Sequence, residues 1–242
     1  MKTPNLTGLA VAACVFLPAA CSQGEDAAYV LALSWQPAFC ERQAAKPECR
    51  SQQDGRIDTR QWSLHGLWPQ PGTRIYCGVE SATIEADKQG RWRDLPAPRI
   101  SEALWRRLQV AMPGTVSSLH RHEWIKHGTC MDGEIDDYYA LSLDLVEAVN
   151  RSAVGRLAGE RLGQHVSVEE IRAAFDRSFG RGAGERVRLA CDQDGDRRLI
   201  AEITIGLAGK VGEGGDIAAA ILAARPTDPG CPGGVIDEAG SQ

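Results

Sequence analysis

The stretch LHRHEWIKHGTC, Leu119 to Cys130, decides how the rest of the chain is read. His122, Glu123, Lys126 and His127 crowd together there, and Lys126 is one of only five lysines in the chain. In a helix advancing about 100° per residue, His122, Lys126, Glu123 and His127 stand at roughly 0°, 40°, 100° and 140°, all on one face. Ser117 and Ser118 are placed to cap such a helix and Gly128 to end it. The other side carries Leu119, Trp124 and Ile125, which can bury, so the run divides into an apolar anchor and a titratable face that is costly to bury. A solvated helix face is usually built from Glu and Lys rather than from a histidine pair flanked by tryptophan. The face is therefore a candidate site.

A zinc site does not fit it. Helical HExxH motifs place two imidazoles one turn apart, at i and i+4. Here the histidines are at i and i+5 with a lysine between them. No metal and no cofactor is expected.

With 242 residues, 43% of them hydrophobic, the chain can bury one sizeable core, and no internal repeat or low-complexity tract divides it. A formal charge of −5 argues against binding nucleic acid through a broad basic surface. It leaves room for an enzyme that engages a few phosphates locally.

Residues 1–20 read as an export signal: Lys2 gives a weak positive start, and Leu6 to Leu17 is an apolar run too short to span a bilayer. Leu17-Pro18-Ala19-Ala20-Cys21 is similar to a lipoprotein cleavage box, with Cys21 as the first mature, lipidated residue. The alternative is ordinary cleavage near Ala19 or Ala20 and release as a soluble protein. The destination is then the periplasm, the outer membrane through lipid on Cys21, or the medium. Residues 21–28 suit a tether, and 29–242 form the domain.

Cys14 and Cys21 belong to that leader region, which leaves Cys40, Cys49, Cys77, Cys130, Cys191 and Cys231. Six cysteines in an exported domain suggest three disulfides, and spacing alone allows 15 pairings. No CxxC pair offers a zinc ribbon.

Tyr29 to Trp35, YVLALSW, reads as an apolar strand, and Cys40 to Cys49 as a polar loop. Asp54 to Arg60 reads as an exposed charged segment. Gln61 to Gln70, QWSLHGLWPQ, reads as a strand that Pro69 ends, with Trp62, Leu64 and Gly66 on one side and Ser63, His65 and Leu67 on the other. Gly66 beside His65 would let another chain or a ligand come close. Pro71 to Pro98 reads as loop. Ser101 to Met112, Asp136 to Arg151 and Ser167 to Phe179 read as helices, the last with a Ser167/Glu170 capping box. Tyr138, Tyr139 and Phe175 belong to the core or its rim. Arg186 to Cys191 and Leu199 to Leu207 read as strands around an exposed Asp192 to Arg198 turn, whose DQDGD lacks the closing glutamate of a calcium loop. From Gly206 onward the glycine-rich tail reads as mostly irregular.

Two histidine segments, a lysine, a glutamate and stackable aromatics, with no nucleophile elbow and no metal box, match one chemistry well. In it a ribose 2′-hydroxyl attacks the neighbouring phosphate while a base removes its proton, an acid protonates the departing 5′ oxygen, and a cation steadies the phosphorane. Imidazole titrates near neutral pH and suits both proton-transfer roles.

HGLWP (His65 to Pro69) and HEWIKHGTC (His122 to Cys130) resemble the two active-site signatures of the ribonuclease T2 family, in the right order and at a plausible spacing. LSWQPAFC (Leu33 to Cys40), Tyr76 and the six mature cysteines add to the resemblance, which spans about Tyr29 to Cys231. It implies an α+β fold with a central, mainly antiparallel sheet flanked by helices and stabilised by disulfides. It implies His127 as general base, His65 as general acid, His122 as a phosphate ligand, and Glu123 and Lys126 as stabilisers of the transition state. Trp68 and Tyr76 would sandwich a base, with Gln70 beside them. The implied pairs are Cys40 with Cys49, Cys77 with Cys130, and Cys191 with Cys231.

The implied activity is that of a monomeric endoribonuclease of low base specificity, acting on single-stranded RNA through a 2′,3′-cyclic phosphate to a 3′-phosphate. The alternative is a catalytically silent RNA- or inhibitor-binding protein on the same scaffold. Gln70 stands where many members carry an aspartate that reads the base. Leu119 and His120 replace aromatic residues, and His120 reads as a surface residue.

Overall fold

The computed structural model describes residues 24–212 and 215–240. Its strands are β1 (Tyr29–Ser34), β2 (Ser63–Pro69), β3 (His165–Ser167), β4 (Val187–Asp194), β5 (Arg197–Leu207) and β6 (Gly233–Val235). They form one six-stranded sheet in the order β2-β1-β5-β6-β3, with β4 paired to β5 as a hairpin. All pairings are antiparallel except β5 with β6. The helices are α1 (Gln36–Arg42), α2 (Pro47–Arg50), α3 (Ser81–Lys88), α4 (Glu102–Ala111), α5 (Leu119–Lys126), α6 (Ile135–Arg151), α7 (Ala153–Glu160), α8 (Val168–Phe179) and α9 (Ile217–Ala223). This is an α+β fold.

β1 is apolar on successive residues, and a strand of that kind must be covered on both faces. Leu31, Ala32 and Leu33 are accordingly fully buried. Each large side chain so buried contributes about 1.5 to 3 kcal/mol. Trp35 follows directly, packs edge-on against Trp62, and donates its indole N–H to the Asp237 carbonyl at 2.8 Å.

Two adjacent residues of α6 hold the two histidine segments. Neighbours on a helix point about 100° apart, and Tyr138 and Tyr139 use that divergence. The Tyr138 hydroxyl donates to the Leu67 carbonyl of β2 at 3.1 Å and accepts from the Leu67 N–H at 3.3 Å. The Tyr139 hydroxyl donates to the His120 carbonyl of α5. Both rings are core residues.

Disulfides join Cys40 to Cys49, Cys77 to Cys130 and Cys191 to Cys231. Such a crosslink typically stabilises by about 2 to 4 kcal/mol. The second ties the loop after β2 to the turn that follows α5. The Ser167/Glu170 capping box opens α8, with both reciprocal hydrogen bonds made.

Several expectations are corrected. The loop expected from Pro71 to Pro98 contains α3 and a 3-10 turn at Trp92–Asp94. α3 is short, lies between glycines, and buries only Ala86 and Asp87, so it has almost no apolar period to read. The irregular tail contains α9, anchored by buried Ala220 and Ile221, and β6. The exposed turn shrinks to Gly195 and Asp196, because β4 and β5 continue their pairing to Asp194 and Arg197. Within the charged 54–60 segment, Asp58 and Thr59 are buried, and Arg56 pairs with the Asp58 carboxylate at 2.7 and 2.9 Å.

His120 is buried rather than at the surface, packed on Trp105. Neither serine caps α5: Ser117 spends its hydroxyl on Glu48, and Ser118 has a left-handed backbone with no side-chain cap. The chain enters α5 from a 3-10 turn, Pro113–Ser117, which turns both side chains away.

Residues 1–20 and Cys21 lie outside the described residues. In the 21–28 segment Glu25 already bridges Ala224 and Asp26 pairs with Arg225, so its described part is bonded to the body. Among the described residues no helix is long and apolar enough to cross a membrane.

Candidate active site

β2 does not alternate through His65 as a regular strand would. Gly66 pairs with Ala32 and Leu64 with Leu33, which leaves His65 as the extra residue of a β-bulge. A bulge re-aims the side chain it inserts. Leu64, Gly66 and Leu67 are buried while His65 keeps partial exposure, so the expected two-sided pattern is broken at the one residue that carries chemistry.

α5 supplies the other half. The four titratable groups do not all lie on a solvated face, because Glu123 is 1% exposed. Its Oε1 lies 3.7 Å from His65 Nε2 and 3.8 Å from His122 Nε2, and its Oε2 accepts from the Trp68 indole N–H at 3.0 Å. Glu123 thus joins three expected site residues from two elements. Gly66 makes the approach possible, since a Cβ there would sit 2.0 Å from Glu123 Oε2 and 2.6 Å from Trp68 Nε1. Burial raises the Glu123 carboxyl above its ordinary value, against the lowering pull of His65, His122 and Lys126.

α5 ends at Lys126, one residue before the expected stop, and His127 closes it with its N–H on the Glu123 carbonyl at 3.0 Å. His127 is buried, its ring lies 5.6 Å from that of Trp68, and its Nδ1 has no hydrogen-bond partner. Burial, followed by the nearby Lys126, His122 and His65, pulls its pKa down to about 3. His65 moves the other way. Burial is the largest influence and lowers it, but the hydrogen bond to Glu202 and the charges of Glu123 and Glu202 together raise it above 6.5. The two histidines are therefore shifted in opposite directions.

Three further residues have no counterpart in the sequence reading. Glu202 of β5 bonds His65 Nδ1 at 2.6 Å. Asp87 of α3 is 3% exposed and accepts from both His122 Nδ1 at 2.7 Å and the Tyr76 hydroxyl at 2.7 Å. Trp92 stacks on His122 with ring centroids 4.5 Å apart. Only Glu202 left a signal, as a carboxylate inside the apolar run LIAEITIGL.

Tyr76 takes a left-handed backbone and donates its N–H to the Lys126 carbonyl, which brings it beside the end of α5. Gln70 stays apart: its amide turns back to donate to the Trp68 carbonyl at 3.2 Å. A cleft of about 390 Å³ opens beside His65 and Glu202 and is lined further by Trp92, Lys46, Phe39 and Leu119. Among the described residues no cluster of three or more His, Cys, Asp or Glu side chains is arranged to hold a metal ion.

Comparisons with known proteins bear on the family and the fold. The profile of the Ribonuclease T2 family matches residues 26–215. Ribonuclease I of Escherichia coli (strain K12) is 29% identical over 205 residues, covering 76% of either chain. Ribonuclease 1 of Arabidopsis thaliana is 28% identical over 180 residues, covering 69% of this chain and 70% of its own length. In fold, the structure resembles that of Japanese pear S3-RNase with a TM-score of 0.53 at 16% identity, covering 87% of this chain and 98% of that one. With both histidine segments, the sheet and the family profile in agreement, the chain belongs to the ribonuclease T2 family.

Proposed function

We propose that this protein is an exported, monomeric endoribonuclease that cuts single-stranded RNA by metal-independent transphosphorylation. The observation that carries this reading is that β2 and α5 bring His65 and His122 onto one buried carboxyl, Glu123, with the His127 ring 5.6 Å from that of Trp68. His127, held neutral, takes the proton from the ribose 2′-hydroxyl as the O2′–P bond forms. His65, bonded through Nδ1 to Glu202, gives its Nε2 proton to the 5′ oxygen as the P–O5′ bond breaks. In the second step water opens the 2′,3′-cyclic phosphate: His65 takes the water proton, and His127 returns its own to O2′. The product is a 3′-phosphate.

Lys126 supplies positive charge to the phosphorane, and His122, fixed through Nδ1 by Asp87, offers Nε2 to a phosphate oxygen. Glu123, held by the Trp68 indole N–H with its Oε1 near His65 and His122, stabilises the transition state together with Lys126. Trp68 and Tyr76 stack on a base, a contact generally worth about 1 to 3 kcal/mol and tolerant of base identity. Gln70 carries an amide that both donates and accepts, which fits low base specificity.

The leader 1–20, a lipidated Cys21 or a freely released mature chain, and a catalytic unit from residue 29 complete the reading. Six cysteines paired as disulfides fit an oxidising compartment.

The deciding experiment is cleavage of a short single-stranded RNA by the purified protein. Wild type is expected to yield a cyclic phosphate and then a 3′-phosphate, in the presence of EDTA as well as without it. A 2′-deoxy nucleotide at the scissile position is expected to block cleavage, as are His65→Ala and His127→Ala in folded protein. Cleavage of the deoxy substrate would overturn the mechanism, and an inactive wild type would favour an RNA-binding role.

A further inference from the structure

We propose that Glu202 is a positioning residue that holds His65 through its Nδ1 and keeps it in the proton-donating form, with Nε2 turned to the substrate. The inference rests on His65 being the general acid of the proposed reaction.

Glu202 reaches His65 from two strands away. It stands opposite Ser34 of β1 in the sheet ladder, and Ser34 stands opposite Ser63 of β2 on its other side. His65 is the bulged residue of β2, so the irregularity that frees its ring from the ladder also lets the ring meet a carboxylate across β1. The Nδ1–Oε2 separation of 2.6 Å is that of a charge-assisted hydrogen bond. With Nδ1–H given to Glu202, the proton that can leave is on Nε2, the atom that faces Glu123 at 3.7 Å.

Glu202 is not a solvated edge group. β5 is an interior strand with neighbours on both sides, and Glu202 and His65 line the same cleft. The other ionisable groups around His65 are Glu123, Lys126 and His127 from the α5 segment, with Asp192 of β4 and Lys46 and Glu48 along the cleft. Lys126 works against protonation of His65, and burial does too. Glu202 is the group that opposes them by direct contact. During the first step the Nε2–H bond breaks and the proton passes to O5′. The Nδ1–H stays in place against Glu202, so no proton has to reach the carboxylate.

Glu202→Gln tests this, because an amide oxygen still accepts the Nδ1–H while the charge is gone. The expected result is that the limb where kcat/KM falls with rising pH moves down by roughly one pH unit, within the range an opposite charge at this distance sets. Rates at acid pH should change little. With a nucleoside 3′-(4-nitrophenyl phosphate), whose leaving group needs no proton, the defect should disappear. Nitrogen NMR of labelled histidine should find Nδ1 of His65 protonated in wild type, with a pKa that falls in the variant.

An equal loss at every pH and with both leaving groups would assign Glu202 a structural role and overturn the proposal, as would an unchanged profile. If Glu202→Gln fails to fold, Glu202→Asp keeps the charge one methylene further back and should shift the limb in the same direction by less. If the wild type does not cut RNA at all, the functional reading fails separately. The NMR titration then still decides the His65–Glu202 pairing, which equal pKa values in the two proteins would refute.

Discussion

Nε2 of His65 lies 3.7 Å from Oε1 of Glu123, so a bulged strand residue and a fully buried helix residue share one electrostatic environment. Because Glu123 also faces His122 and accepts from Trp68, its substitution should be felt across the site. Glu123→Gln is expected to lower kcat roughly a hundredfold, the scale of losing one group aimed at developing charge, with a much smaller change in KM. Steady-state kinetics on a dinucleotide check this, and a defect confined to KM would contradict it.

The opposite shifts of the two histidines set the pH profile. His127 has to be neutral to accept a proton, and its pKa of about 3 places the acid limb far below the ordinary imidazole range. His65 has to be protonated, and its raised pKa places the basic limb above 6.5. The expected kcat/KM profile is a bell whose plateau covers acid to near-neutral pH. A rate that climbs steadily into the alkaline range would show that no protonated imidazole is needed and would overturn His65 as the acid.

Gly66→Ala puts a methyl group 2.0 Å from Glu123 Oε2. The carboxyl has to swing away and give up the Trp68 indole, while the β2 backbone can stay where it is. Overpacking of this kind costs about 1 to 3 kcal/mol. Activity should fall far more than the folded fraction does, which thermal melts run beside activity assays will separate.

His120 is buried with an unpartnered Nδ1, and burial, with a smaller contribution from Arg121, lowers its pKa to about 4. The folded state therefore resists protonation at this site while the unfolded chain accepts a proton near 6.5. The stability that the neutral ring contributes is fully present above 6.5 and is lost as the pH falls toward 4. His120→Phe should remove that acid loss and, by deleting an unsatisfied polar atom, stabilise by about 1 to 3 kcal/mol. Tm measured at the two ends of this window is the check, and RNA cleavage should be unaffected.

The features legible in the sequence share a physical reason. β1, α6 and α8 carry long apolar runs or periods with clear caps, and the run from His122 to His127 carries four ionisable groups that a surface helix would not need. What stayed hidden was local irregularity and long-range pairing. The bulge at His65 leaves no mark in the alternation of QWSLHGLWPQ, because it is imposed by the partner strand. Asp87 sits on a helix too short to show a period, and its value lies in meeting His122 and Tyr76 from elsewhere in the chain. His120 reads as a surface residue, yet Trp105 covers it. Tyr138 and Tyr139 could be assigned to the core, but their use as two separate struts depends on the elements they reach.

The bond between Cys77 and Cys130 has a bearing on where this chain can do harm. It follows Tyr76 directly at one end and lies three residues beyond His127 at the other, so it fastens the Tyr76 loop to the turn that follows α5. In a reducing compartment that fastening is absent, and the Tyr76 loop and the end of α5 are joined by non-covalent contacts such as the Tyr76 N–H to the Lys126 carbonyl. A newly made chain would thus be least competent while it shares a compartment with the messenger and ribosomal RNA of the cell that makes it. Oxidation would serve as its arming step.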